Sequence, residues 1–67
     1  MNFNAEELML MMLYNTGSRL GLMQELRLMQ CYLMPDEFAL RVLSEGVVEK
    51  LKLITDAEFA ELEFPRD

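Results

Sequence analysis

Sixty-seven residues, 52% hydrophobic and 27% charged, allow one domain (1–67) with a small core and exclude a disordered chain, which could not carry so much apolar surface. Twelve acids against six bases, with no His, give a net charge of −6. That balance repels phosphate backbones and anionic lipid, whose affinity for proteins is built from Lys and Arg, so neither nucleic-acid binding nor membrane attachment is expected.

The first helix is predicted over about 5–14. Asn4 can cap it while Glu7, three residues on, reaches back to the cap amide, and Phe3 can close over Leu8 as a hydrophobic staple. Its apolar run, residues 8–14, is seven long, against about 20 for a membrane span. Glu6 and Glu7 stand where a secretion signal would carry Lys or Arg. The helix closes on Asn15-Thr16-Gly17-Ser18, in which Asn and Gly tolerate left-handed backbone and Thr16 or Ser18 can cap the next element.

A second helix follows over about 17–32, with the stripe Leu22, Leu26, Met29 and Leu33 at helical spacing. Pro35 suits the first position of a third helix, about 35–54, with Asp36 and Glu37 at its positive end and Leu33 stapled to Phe38. The stripe Leu40, Leu43, Val47, Leu51 and Ile54 keeps phase through Ser44-Glu45-Gly46, which argues for one helix, although Gly46 would permit a kink. Thr55 and Glu58 repeat the capping box before a short fourth helix, about 56–63, with Ile54 stapled to Phe59 and Pro65 beyond it. Nothing alternates with period two. The expectation is an all-α fold: a small up-down bundle of three main helices plus a short C-terminal helix.

Catalytic chemistry finds little support. Nucleophilic catalysis needs a base beside Ser, Cys or Thr, and the usual base, His, is absent. Cys31 lies between Gln30 and Tyr32 with Arg27 four residues back, and it reads as a small hydrophobe; a single cysteine also suits a reducing cytoplasm. No His–Cys cluster, Asp-rich loop or phosphate-cradling Gly loop is present, so no enzyme, metal or cofactor is expected. Glu37 with Arg41, and Arg41 with Glu45, should make ordinary surface pairs. Met9, Met11, Met12, Met23, Met29 and Met34 could line a plastic binding surface, but gap-filling in a small core is the favoured reading.

Two features point instead to binding. The second helix is apolar almost all round, with Leu20, Met23, Leu28 and Cys31 outside its stripe, and the first helix shares the property. Such helices are either central or paired with something else, and a bundle this small has little room to enclose both. An exposed apolar patch used for homodimer formation or for binding another protein is therefore expected. The C-terminal third forms the complementary surface, an acidic face carrying Glu45, Glu49, Glu58, Glu61 and Glu63, which most simply keeps the protein soluble.

Five stretches carry a resemblance across almost the whole chain: Phe3-Asn4-Ala5-Glu6-Glu7, Tyr14-Asn15-Thr16-Gly17-Ser18-Arg19, Leu33-Met34-Pro35-Asp36-Glu37, Glu49-Lys50-Leu51 and Thr55-Asp56-Ala57-Glu58-Phe59. In that order they resemble the putative transposon-transfer assisting proteins, small helical proteins encoded on conjugative transposons of Gram-positive bacteria. The resemblance implies an accessory role in moving a mobile element and supplies no catalytic residues. The function expected is thus a non-enzymatic, cytoplasmic interaction protein that assists or regulates transfer. The alternative is an acidic inhibitor carried by the element, either an antitoxin or a phosphate mimic that blocks a nuclease.

Overall fold

A computed structural model describes residues 3–62 and residue 64. Four helices follow in order: α1 Ala5–Tyr14, α2 Arg19–Cys31, α3 Phe38–Leu53 and α4 Asp56–Ala60. The three long ones each pack on the other two.

Local capping sets most of the boundaries. The Glu7 N–H donates to Asn4 Oδ1 at 2.8 Å, and the Asn4 N–H donates to Glu7 Oε1 at 2.9 Å, so α1 begins with a complete capping box. Thr55 and Glu58 make the same reciprocal pair at the start of α4. Both boxes satisfy amides that a helix start leaves without carbonyl partners. Between α1 and α2 the chain turns at Gly17, whose φ of 96° lies in the left-handed region and whose N–H donates to Asn15 Oδ1. Ser18, rather than Thr16, caps α2 by accepting the Gly21 N–H. A side chain at 17 would meet no neighbour, so backbone strain alone opposes one. Gly17→Ala should lower stability by about 1 kcal/mol in urea unfolding; a variant as stable as the parent would show that the turn relaxes without loss.

The third helix starts later than its sequence suggests. Pro35 and Asp36 occupy a turn, closed by the Glu37 N–H donating to the Met34 carbonyl at 2.9 Å, and α3 begins at Phe38. Pro35 therefore presets a turn, its other common use. Glu37 departs from helical geometry (φ −90°, ψ 41°) and spends its carboxylate on the Met34 N–H instead of the helix dipole. Phe38 is 68% exposed, so the staple expected with Leu33 does not bury it. From there α3 runs unbroken through Gly46. Ser44 starts no new helix: its hydroxyl donates to the Arg41 carbonyl and accepts from Gln30 Nε2, both at 2.9 Å, and it is fully buried. The last helix ends at Ala60, earlier than predicted, and Glu63 lies outside the described residues.

All four helices contribute to one core: Leu10 and Met11, then Leu22, Met23 and Leu26, then Val47, Val48 and Leu51, with Ile54 and Phe59 closing it. The predicted stripes are only partly enclosed. Leu22, Leu26, Val47 and Leu51 are fully buried, whereas Met29, Leu33, Leu40 and Leu43 are half-buried toward one end. Two further polar ties join the first third of the chain to the last. Glu7, buried on α1, accepts from Lys50 Nζ on α3 at 2.6 Å. Arg19, opening α2, donates to the Leu51 carbonyl in the last turn of α3 and to Asp56 at the start of α4, both at 2.8 Å.

Candidate interaction surface

The helix face that packs inward determines which residues remain available. On α2, Leu22, Met23 and Leu26 are buried, which turns Leu20, Gln24, Leu28 and Cys31 outward at spacings of four, four and three. Leu20 is 59% and Leu28 55% exposed, and Cys31 is exposed as well. Met23, expected among them, is a core residue at 8% exposure, and its sulfur accepts from Arg19 Nη1. Its place on the helix lies at the edge of the buried arc, and the long thioether reaches inward from there. The same division holds on α1: Glu7, Leu10 and Met11 face the core, while Met9, Met12 and Leu13 are exposed. Of the methionines expected in the core, Met11 and Met23 are buried and Met29 half-buried, but Met9, Met12 and Met34 remain outside.

Leu28 also forms part of a feature that helical spacing did not predict. An open groove of about 520 Å³ runs between the C-terminal half of α2, the end of α1 and the start of α3. Tyr14, Leu28, Met29, Tyr32, Leu33 and Leu40 supply its apolar wall, and Glu25 and Glu37, both exposed, supply its carboxylates. The groove arises because α2 stops at Cys31 and α3 starts only at Phe38. The corner between them carries its apolar side chains past the core. The signal was present in Tyr32-Leu33-Met34, three large apolar residues ahead of a proline turn, where a connecting loop is ordinarily polar.

The acidic residues are less concentrated than their spacing implied. Glu45, Glu49, Glu58 and Glu61 are all exposed. Glu45 and Glu49, however, line a second groove together with Arg27 and Lys52, and Lys52 pairs with Glu49 at 3.4 Å. Asp56 is held by Arg19. Arg41 pairs with neither Glu37 nor Glu45 as expected. It donates to the Gln30 carbonyl at 3.4 Å, where the last turn of α2 offers a concentration of partial negative charge.

Glu58 serves as a cap. Its carboxylate is held below the usual value of 4.5 by the Thr55 backbone N–H and, second, by the Thr55 hydroxyl. A carboxylate with a depressed folded pKa adds stability above its unfolded pKa and loses it as pH falls through the folded one. Acidification below about pH 4.5 should therefore loosen the start of α4 before the rest, seen as loss of the Thr55 amide's chemical-shift dispersion. Glu58→Gln should abolish that pH step; a step that persists in the variant would assign it to another group.

No helix among the described residues is long and apolar enough to cross a membrane. No curated protein and no solved structure matches the chain. The family model described as putative transposon-transfer assisting protein matches residues 3–65, which takes in all four helices, both capping boxes and the groove. By that match the chain belongs to the family of putative transposon-transfer assisting proteins.

Proposed function

We propose that this protein is a non-enzymatic, cytoplasmic accessory factor that assists or regulates transfer of a mobile element by binding another protein. The family description supplies the context of transposon transfer. One observation carries the mode of action: α1 and α2 each bury one face and leave large apolar side chains on the other, Met9, Met12 and Leu13 on α1 and Leu20 and Leu28 on α2. Scattered exposed apolar residues are ordinary, and α3 carries Phe38, Val42 and Leu53 outside as well, but the rows on α1 and α2 belong to helices too apolar for a single buried face and mark a surface that association would cover. The mixed charge around Glu45 and Glu49 gives less support to a phosphate mimic, which needs a field of one sign.

The test is affinity capture of the tagged protein from cells carrying the parent element, at low and high salt, alongside a Leu28→Glu variant. Proteins of the transfer machinery should stay bound at high salt and be lost from the variant. Because Leu28 is more than half exposed, the substitution should change stability by less than about 0.5 kcal/mol. A bound set that Leu28→Glu leaves intact would sink the proposal. A basic nuclease or toxin that dissociates at high salt would instead establish the acidic inhibitor.

A further inference from the structure

The groove between α2 and α3 has a definite chemistry, and its charges distinguish among occupants. Its wall is apolar and aromatic, formed by residues such as Tyr14, Leu28, Tyr32 and Leu40. The charged side chains that line it, Glu25 and Glu37, are both acids, and no Lys or Arg lines it among the described residues. It is an open groove of about 520 Å³, accessible to an apolar side chain presented from a partner's surface. An apolar side chain seated here would bring its flanking residues beside two carboxylates. Lys or Arg at those flanks would be attracted, and Asp or Glu repelled.

The same charges argue against a second copy of this chain. A two-fold interface centred on the groove would bring the same patch of both copies together, placing Glu25 and Glu37 near their own counterparts on molecules that each carry a net charge of −6. They also argue against an anionic lipid surface.

The geometry points to a cationic amphipathic segment of a partner protein as the occupant of this groove: one aliphatic or aromatic anchor between the α2 and α3 walls, with Lys or Arg within a helical turn of it. The assignment rests on the interaction role proposed above and specifies the partner's contact. Recognition of this kind places the anchor in the apolar cleft and uses rim charges for orientation and encounter rate.

Panning a library of short random peptides against the full chain tests it. Enriched peptides should combine a large apolar residue with neighbouring Lys or Arg. Their affinity should fall about tenfold in Leu28→Glu and about fivefold in Glu25→Lys, and stay unchanged in Leu53→Glu, which alters an exposed leucine of α3 outside the groove. All three positions are exposed, so the fold should survive each change. Acidic or wholly polar enriched peptides, affinities indifferent to Leu28→Glu and Glu25→Lys, or no enrichment would each overturn the assignment. So would concentration-dependent NMR shifts at Leu28 and Leu40 without peptide, which would make a second copy the occupant. If no cationic peptide binds while Leu28→Glu still loses its partner in cell capture, the groove's chemistry is wrong and the interaction role stands. Cationic peptides that bind the groove when cell capture returns no partner would support the groove's chemistry and count against the interaction role.

Discussion

Leu51→Ala is expected to cost about 3 kcal/mol of unfolding free energy, a larger loss than any other substitution proposed for this chain. Leu51 is fully buried on α3, within a core to which all four helices contribute. Removing its side chain forfeits the transfer energy of the deleted carbons and leaves a cavity that neighbouring helices only partly close. A domain of this length has a total stability of about 3–10 kcal/mol, so the variant should be measurably unfolded in part at moderate temperature. Leu53→Ala provides the internal control. It lies two residues on in the same helix, has the same helix propensity change, and is 69% exposed, so its expected effect is below about 0.5 kcal/mol. Urea unfolding followed by far-ultraviolet circular dichroism measures both. Since Ala is at least as good a helix former as Leu, helix propensity accounts for no loss, and equal losses from the two substitutions would show that burial does not set the cost in α3.

Lys50→Met should cost about 2 kcal/mol, and for a different reason. Glu7 is 5% exposed and its carboxylate accepts from Lys50 Nζ at 2.6 Å while also holding the Asn4 amide. Lys50 further places its ammonium 5.6 Å from the centre of the Phe3 ring. Taking away one partner of a buried pair strands the other charge, which costs about 3–5 kcal/mol when the site is fully dry. The Lys50 side chain keeps 30% exposure, so water screens the pair and the lower figure is expected. Glu7→Gln keeps an oxygen acceptor for the Asn4 amide while removing the charge. The double variant Glu7→Gln/Lys50→Met should therefore be more stable than Lys50→Met alone. A double variant that loses the sum of both single effects would show that the charges do not interact.

These two residues also indicate which parts of the fold were legible in sequence. The starts of α1 and α4 were, because a capping box is complete within four residues and needs no other part of the chain. The corner at residues 34–37 was not, because Pro35 followed by acids describes a helix start and a turn equally well, and the choice depends on the backbone at Glu37. Glu7 was recognisable as a cap, but its burial beneath α3 was not, since Lys50 is 43 positions away. Arg41 preferred a carbonyl of another helix over its own i±4 acids for the same reason. At the candidate surface, periodicity identified α2 as too apolar for its size and placed Leu20 and Leu28 outside. It could not decide the side taken by Met23, at the edge of the arc, or assemble a groove from three separate elements.

The tie between Glu7 and Lys50 and that between Arg19 and Asp56 join the first third of the chain to the last. During synthesis α1 and α2 leave the ribosome well before the residues that cover them. Neither is long enough to hold its shape alone in water, so the inward faces of Leu10, Met11, Leu22 and Leu26 stay uncovered until α3 and α4 emerge. Folding should then complete late, with part of the inward face of α1 and α2 uncovered until the last third of the chain is made.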